Sequence, residues 1–132
     1  MSAEDRLAIL ELAARYWQTV DTGDLQGFAD TFTPDGELEN FTGVGKGRET
    51  LAQWLNDFEP ARLGNRHYTA NHLITKIDFD TASVWSYLVV TSVEPPRQKT
   101  PRVAALARFD DRVVRVDGEW FFAHRTMTVF GS

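Results

Sequence analysis

The hydrophobic spacing changes at about position 60, and this change constrains the fold more than any other feature of the sequence. Before that point, apolar residues recur every three to four positions, as in helices that bury one face. After it, apolar and polar residues alternate, as in strands with one covered face. Helices followed by strands predict an α+β fold with an antiparallel sheet, because a parallel sheet needs alternating strands and helices.

The first helix has a start and a stop signal. Ser2 followed by Asp5 resembles a capping box. Gly23 suits a left-handed helix end, and Asp24 suits the cap of a second helix. Between these signals, apolar residues follow at helical spacing: Ile9, Leu12, Ala13, Tyr16 and Val20.

The rest of the first half contains a second and a third helical pattern. The second is short and carries Leu25, Phe28, Ala29 and Phe32; the third carries Leu51, Trp54, Leu55 and Phe58. Between them we expect a turn over 33–36 and a short strand over 37–41. The glycine-spaced segment 43–47 is interpreted as a flexible entry to the third helix, since it lacks the spacing of a phosphate loop.

The second half predicts four strands, over 66–78, 81–94, 102–116 and 119–130. Asp117-Gly118 is a hairpin turn signal, and 95–101 is expected to be a longer loop. No repeat or composition shift marks a boundary, so a single domain over 1–132 is expected.

Composition excludes several classes of function. There is no cysteine, hence no disulfide, thiolate nucleophile or cysteine-bound metal. The net charge of −5 argues against a sequence-independent nucleic-acid binder. The charged N-terminus does not resemble a signal peptide, and no apolar run is long enough for a membrane span, so a cytoplasmic protein is expected.

Two of the three histidines lie in the segment RHYTANHLI, which is part of a predicted strand. Strict alternation places His67 and His72 on opposite faces, so they can share a metal only if a bulge separates them. His67 shares its face with Thr69 and Asn71, as expected for a polar-lined cavity; an ordinary hydrogen-bonded strand histidine is the alternative. His72 is interpreted as a structural residue on the outer face.

The first helix offers Tyr16 and Asp21 as possible partners for His67. At about 100° per residue they point about 140° apart, so they share a pocket only if it wraps around the helix end. Asp21 lies where the helix dipole disfavours negative charge, which hints at another role. The alternative is a polar residue that simply ends the helix. In the last strand, one of His124 and Arg125 should face inward, and alternation alone does not say which.

The segments YWQTVDTGDLQGFADTFTPDGELE, RHYTANHLI and FDDRVVRVDGEWFFAHR resemble the SnoaL-like branch of the nuclear transport factor 2-like superfamily. This superfamily includes scytalone dehydratase, bile acid 7α-dehydratase, ketosteroid isomerase and polyketide cyclases. The resemblance extends over roughly residues 4 to 130. It implies a conical α+β barrel, in which a curved antiparallel sheet is wrapped by three N-terminal helices around an apolar cavity.

The resemblance also implies roles for individual residues. His67 and Asp21 fall where the dehydratases have a catalytic dyad, and Tyr16 falls where a tyrosine precedes that aspartate. Asn40 falls where ketosteroid isomerases have their basic aspartate, and an amide cannot act as that base. Catalytic roles are therefore expected for His67, Asp21 and Tyr16, and substrate contacts for Asn40, Asn71, Trp85 and Arg125.

The function implied is general acid–base catalysis by a dehydratase, isomerase or cyclase. The substrate would be a small hydrophobic carbonyl, steroid-like or polyketide-like compound, with no metal or cofactor. The chain is also expected to form a homodimer or homotrimer through its sheet. The alternative is a non-catalytic module that binds ligands or partners, such as a small subunit of a ring-hydroxylating dioxygenase. The loop over 95–101 would cover the cavity mouth or be a plain hairpin loop.

Overall fold

The computed structural model describes residues 1–58, 64–93 and 100–131. Within them lie three helices and six strands: α1 Ala3–Thr22, α2 Leu25–Asp30, β1 Phe32–Asn40, β2 Gly43–Lys46, α3 Arg48–Phe58, β3 Asn65–Asp78, β4 Thr81–Ser92, β5 Arg102–Val116 and β6 Glu119–Val129. The predicted loop over 95–101, and its suggested role over the cavity, lie almost entirely outside the described residues. None of the described helices has the length and apolarity of a membrane span.

The strands form one mixed sheet in the order β2-β1-β6-β5-β4-β3. The meander from β3 to β6 is antiparallel throughout, as the alternating pattern predicts. The exception to antiparallel pairing is that β1 lies parallel to β6. The first and last strands are thus neighbours, which brings the helical half of the chain against the sheet formed by the second half.

The ends of α1 follow their sequence signals. The Ser2 hydroxyl accepts a hydrogen bond from the Asp5 backbone N–H at 3.0 Å. Gly23 ends the helix with a left-handed φ of 72°. Asp24 then caps α2, because its carboxylate accepts a hydrogen bond from the Gly27 N–H at 3.0 Å. The position of Asp21, two residues before that glycine, is therefore defined by local sequence.

The turn expected over 33–36 is wrong. These residues lie within β1, where the pairing with β6 shifts: Phe32 lies opposite Phe122, and Glu37 lies opposite His124. Four residues of β1 therefore face a single residue of β6. The turn-forming residues make a broad bulge instead of reversing the chain.

The flexible entry expected over 43–47 is also wrong, because most of it forms β2, paired antiparallel with β1. Gly45 lies opposite Leu38 and is buried. A Cβ at this position would lie 3.0 Å from the Trp54 ring. Glycine is thus needed here for close packing of β2 against α3, a requirement that spacing alone does not reveal.

The hydrophobic core lies between α1 and the inner face of the sheet. Along β4, alternate side chains are buried, as expected for a strand with one covered face. The residues that meet these from the helices and the other strands include Leu12, Tyr16, Phe28, Phe32, Leu51, Phe109 and Phe122. This core ends at a cavity near the C-terminal end of α1.

Candidate active site

A cavity of about 390 Å³ lies between the helices and the inner face of the sheet. Its described walls are mostly apolar, with aromatic rings from Trp17, Phe28, Trp54 and Phe109 among them. Polar atoms come from a few residues only: Tyr16, Asn40, Asn65 and His67, besides the indole nitrogens. Apolar walls with a few polar groups are typical of small-molecule sites.

His67 and Asp21 meet at this cavity. His67 lies near the start of β3 and lines the wall, while Asp21 projects from the last turn of α1. The His67 Nδ1 and the Asp21 Oδ1 are 2.6 Å apart, and the other Asp21 oxygen accepts a hydrogen bond from the His67 backbone N–H at 3.3 Å. Their side chains are only 10% and 15% exposed. The carboxylate thus holds both the ring and the backbone of the histidine.

Burial lowers the pKa of His67, and the hydrogen bond and charge of Asp21 oppose this effect only in part. The imidazole is therefore neutral near pH 7. With Nδ1 donating to the Asp21 carboxylate, Nε2 carries the free lone pair. A neutral imidazole with one nitrogen held by a carboxylate is suited to accept a proton.

Trp17 is a site residue that the sequence did not reveal. Its ring stacks on the His67 ring with centroids 4.6 Å apart and planes inclined by 8°. In the sequence, Trp17 only widens the apolar stripe of α1. No spacing rule connects a helix residue to the face of a histidine 50 positions later, so only the tertiary structure could show this contact.

Tyr16 also reaches the cavity, although its side chain is almost wholly buried. Its ring packs edge-on against Trp17, with centroids 4.6 Å apart. Burial raises the pKa of Tyr16 to about 12, against the opposing charge of Arg125. The phenol therefore keeps its proton at any physiological pH and can donate a hydrogen bond.

Arg125 is the inward-facing member of the His124–Arg125 pair. It is fully buried and forms two hydrogen bonds with Asp111, at 2.8 and 3.1 Å. It is absent from the described cavity wall, where a substrate contact was expected. Instead it is enclosed by aromatic rings, and its guanidinium carbon is 4.3 Å from the Tyr16 centroid. The sequence contains a sign of this partner, because Asp111 is a charged residue at an inward position of an alternating strand, where a charge needs a counter-charge.

The expectation that His67 and His72 face opposite ways is wrong. The pairing of β3 with β4 shifts between Ala70 and Leu73, and Asn71 has a left-handed φ of 59°. This bulge adds a residue and reverses the alternation, so His72 turns to the inner face. Its Nε2 is buried and has no hydrogen-bond partner among the described residues.

The same bulge removes Asn71 from the face of His67. Asn71 is exposed and is not among the described residues of the cavity wall. Trp85 also lies elsewhere: it points to the outer face, where its ring is 5.2 Å from that of Tyr87. Of the four expected substrate contacts, Asn40 alone lies among the described lining residues. Within the residues that the structure describes, 1–58, 64–93 and 100–131, no three His, Asp or Glu residues cluster closely enough to hold a metal ion.

Three helices packed on a curved mixed sheet around an apolar cavity define the nuclear transport factor 2-like, or cystatin-like, class of proteins. Within that class, this chain belongs to the SnoaL-like domain family, whose model matches residues 1–126. The fold expected from the sequence resemblance is thereby confirmed.

Several solved structures are similar over most of the chain. One is an Asp-to-Asn variant of Rv3472, a protein of unknown function from Mycobacterium tuberculosis, with 32% identity, a TM-score of 0.84, and coverage of 95% of this chain and 71% of that one. A second, of unknown function with a cystatin-like fold, comes from Nostoc punctiforme, with 32% identity, a TM-score of 0.86 and coverage of 100% and 96%. A third is ActVI-ORFA from Streptomyces coelicolor, with 25% identity, a TM-score of 0.86 and coverage of 96% and 98%. No curated protein matches the sequence.

Proposed function

We propose that this protein is a cofactor-independent acid–base enzyme that moves a proton next to a carbonyl group of a small apolar compound. The observation that carries the proposal is the His67–Asp21 pair, joined at 2.6 Å at the wall of an apolar cavity. A paired carboxylate and imidazole is an arrangement that serves general base catalysis on many folds. Dehydration, isomerisation and cyclisation all begin with this kind of step.

His67 is the proposed base. Its Nε2 takes a proton from the carbon next to the substrate carbonyl, and the ring becomes a cation. Asp21 holds Nδ1–H, so the ring keeps one tautomer, and its negative charge stabilises the cation that forms. The same proton then passes to a leaving hydroxyl, which gives dehydration, or to another carbon, which gives isomerisation. In ring closure the enolate carbon instead bonds to a second carbonyl carbon of the substrate, and the proton passes to the oxygen of that carbonyl.

Tyr16 is the proposed donor to the carbonyl oxygen. When the proton leaves the carbon, negative charge develops on that oxygen, and a hydrogen bond from a buried phenol stabilises it more strongly than water would. Since the pKa of Tyr16 is raised to about 12, the phenol does not lose its own proton first. Asn40 offers a second donor. Its side-chain oxygen accepts a hydrogen bond from the Thr42 backbone N–H at 2.8 Å, which leaves the amide NH₂ group for a ligand.

The lining indicates an uncharged substrate. The described lining residues include no Lys, Arg, Asp or Glu; Arg125 is not among them, and it is fully buried and paired with Asp111. An unpaired carboxylate or phosphate would lose its hydration there without gaining a counter-charge. A neutral, mostly apolar ketone of steroid-like or polyketide-like character fits this environment.

The proposal is tested by proton exchange, which does not require the final product to be known. A panel of neutral cyclic ketones, steroidal and polycyclic, is incubated with the protein in D₂O, and loss of the α-proton signal is followed by NMR. For any ketone that exchanges, we expect His67→Ala to lower the rate by about 10²–10⁴-fold. Asp21→Asn should also lower it, since the tautomer is no longer held.

His124→Ala is the matched control, because His124 lies on the other side of β6, 3.8 Å from Glu37. Its exchange rate should equal that of the wild type. Near-normal rates in both His67→Ala and Asp21→Asn would remove the dyad from the mechanism. Ketones that bind tightly but never exchange would favour the non-catalytic alternative.

Self-association through the sheet is also proposed. The outer face carries an aromatic strip of Trp85, Tyr87 and Phe130, whose neighbouring centroids are 5.2 and 6.1 Å apart. Phe130 is 47% exposed, and burial against a second copy would remove such surface from water. Light scattering of the wild type and of Phe130→Ser tests this: the variant should dissociate at a higher concentration, and a monomeric wild type would refute the idea.

A further inference from the structure

The indole of Trp17 covers one face of the His67 ring. The two rings are nearly parallel, at 8°, with centroids 4.6 Å apart. Trp17 is itself held in place by the core, since its ring meets Phe109 edge-on at 5.6 Å and is only 7% exposed. The stack is therefore a built feature of the site, in which a rigid aromatic face lies against the proposed base.

We propose that Trp17 is a positioning residue, whose indole face fixes the plane of the His67 ring and stabilises its protonated form. Asp21 holds one edge of the imidazole through Nδ1, and this hydrogen bond alone still permits small tilts of the ring about its Cβ–Cγ bond. A ring pressed against a flat face cannot rotate. The two contacts together fix both the direction and the plane of the lone pair on Nε2.

The electrostatic part follows from the charge distribution of an aromatic ring. The indole face carries partial negative charge and attracts a cation placed over it, and the attraction grows when water is excluded. Imidazolium over indole is such a pair, whereas neutral imidazole gains much less. Trp17 therefore stabilises the state that exists after proton removal more than the state before it, and this makes His67 a stronger base.

Other groups also act on the pKa of the His67 ring, some in the same direction as Trp17 and some against it. Burial lowers the pKa of His67, Asp21 raises it, and the charge of Arg66 lowers it. Trp17 should raise the pKa of His67, as Asp21 does, and so oppose the effect of burial. Loss of the indole should thus lower the pKa, while entry of water into the space left behind should raise it. The proposal requires the first effect to be the larger, so that the pKa falls when the indole is lost.

The inference rests on the proposed function, because it gives His67 the role of base, but its main test needs no substrate. The chain has three histidines, so their ring signals in the isotope-labelled protein can be assigned from His72→Gln and His124→Gln. The pKa of His67 is then measured by NMR titration in the wild type, Trp17→Leu and Trp17→Phe. Thermal melting shows which variants fold.

We expect the pKa of His67 to fall by about one pH unit in Trp17→Leu. It should fall less in Trp17→Phe, because phenylalanine keeps a ring with a weaker face. An unchanged or higher pKa in Trp17→Leu overturns the inference. If that variant does not fold, the same outcome in Trp17→Phe overturns it.

Trp54→Leu is the matched control, because it removes another indole from the same cavity wall. The pKa of His67 should stay at the wild-type value there, and an equal fall would show that any loss of cavity wall has this effect. For any ketone whose α-proton exchanges, the fall of the exchange rate at low pH should shift together with the measured pKa of His67. Normal exchange in His67→Ala would refute the proposed function, whereas an unmoved His67 pKa in the tryptophan variants would refute this inference alone.

Discussion

The buried pair of Arg125 and Asp111 allows the sharpest prediction about stability. Arg125 is 0% exposed and the Asp111 side chain is 1% exposed, and the two share hydrogen bonds of 2.8 and 3.1 Å. The guanidinium carbon also lies 4.1 Å from the centroids of both Phe109 and Phe122. Asp111→Asn would leave the cation in this apolar cage without its counter-charge.

Removing one partner of a buried ion pair costs about 3–5 kcal/mol, because the remaining charge is uncompensated. With an unfolding entropy of about 2.1 cal/mol/K per residue over 132 residues, this corresponds to a fall in Tm of about 10–20 °C. Replacing both partners by apolar side chains of similar volume, as in Asp111→Leu with Arg125→Met, should be nearly neutral or stabilising. The single variant should therefore be far less stable than the double one.

Arg125→Met alone behaves differently, since a carboxyl can take up a proton and a guanidinium cannot lose one. Burial raises the pKa of Asp111, and the charge of Arg125 opposes this effect. Without Arg125, the folded-state pKa rises further above the unfolded value. The folded state then binds the extra proton, so the penalty is smallest at low pH and grows as pH rises through the folded pKa. Asp111→Asn has no carboxyl at this position, so the stability of that variant carries no contribution from this titration.

Urea unfolding at pH 5 and pH 7.5, each compared with the wild type at the same pH, measures these differences. The expected result is a large loss for Asp111→Asn at both pH values, a smaller loss at pH 5 than at pH 7.5 for Arg125→Met, and recovery in the double variant. A loss below about 1 kcal/mol for Asp111→Asn, the size of an exposed ion pair, would refute the view that this cation depends on Asp111.

Two further predictions concern β3. Burial lowers the pKa of both His67 and His72, so each binds a proton less readily in the folded state. These two groups should therefore not reduce the free energy of unfolding above about pH 6.5, the ordinary pKa of histidine, and should reduce it as the pH drops from there through their folded-state pKa values. His72→Gln should flatten this fall in urea titrations at several pH values, and an unchanged slope would contradict it. Asn71 has a φ of 59°, so Asn71→Gly should be tolerated while Asn71→Val should cost about 1–2 kcal/mol. Equal melting temperatures for the two variants would speak against the bulge.

Local sequence was sufficient for most of the regular structure. The cap at Ser2, the stop at Gly23 and the long strands after position 64 follow from side-chain chemistry and spacing that act within a few residues. The α+β class follows as well, because the order of helices and strands limits how they can pack. The resemblance pointed to Asp21 and His67 before any distance was known, and the structure brings them to 2.6 Å.

Tertiary structure decided what spacing could not. Periodicity assumes an unbroken strand, and bulges near Asn71 and before Glu37 break it by adding residues to one strand only, which put His72 on the inner face. Alternation showed that either His124 or Arg125 points inward, but the choice depended on the register with β5, in which Asp111 lies opposite Arg125. The stack of Trp17 on His67 joins a helix to a strand across 50 residues. Such contacts arise from packing between elements, and no local pattern encodes them.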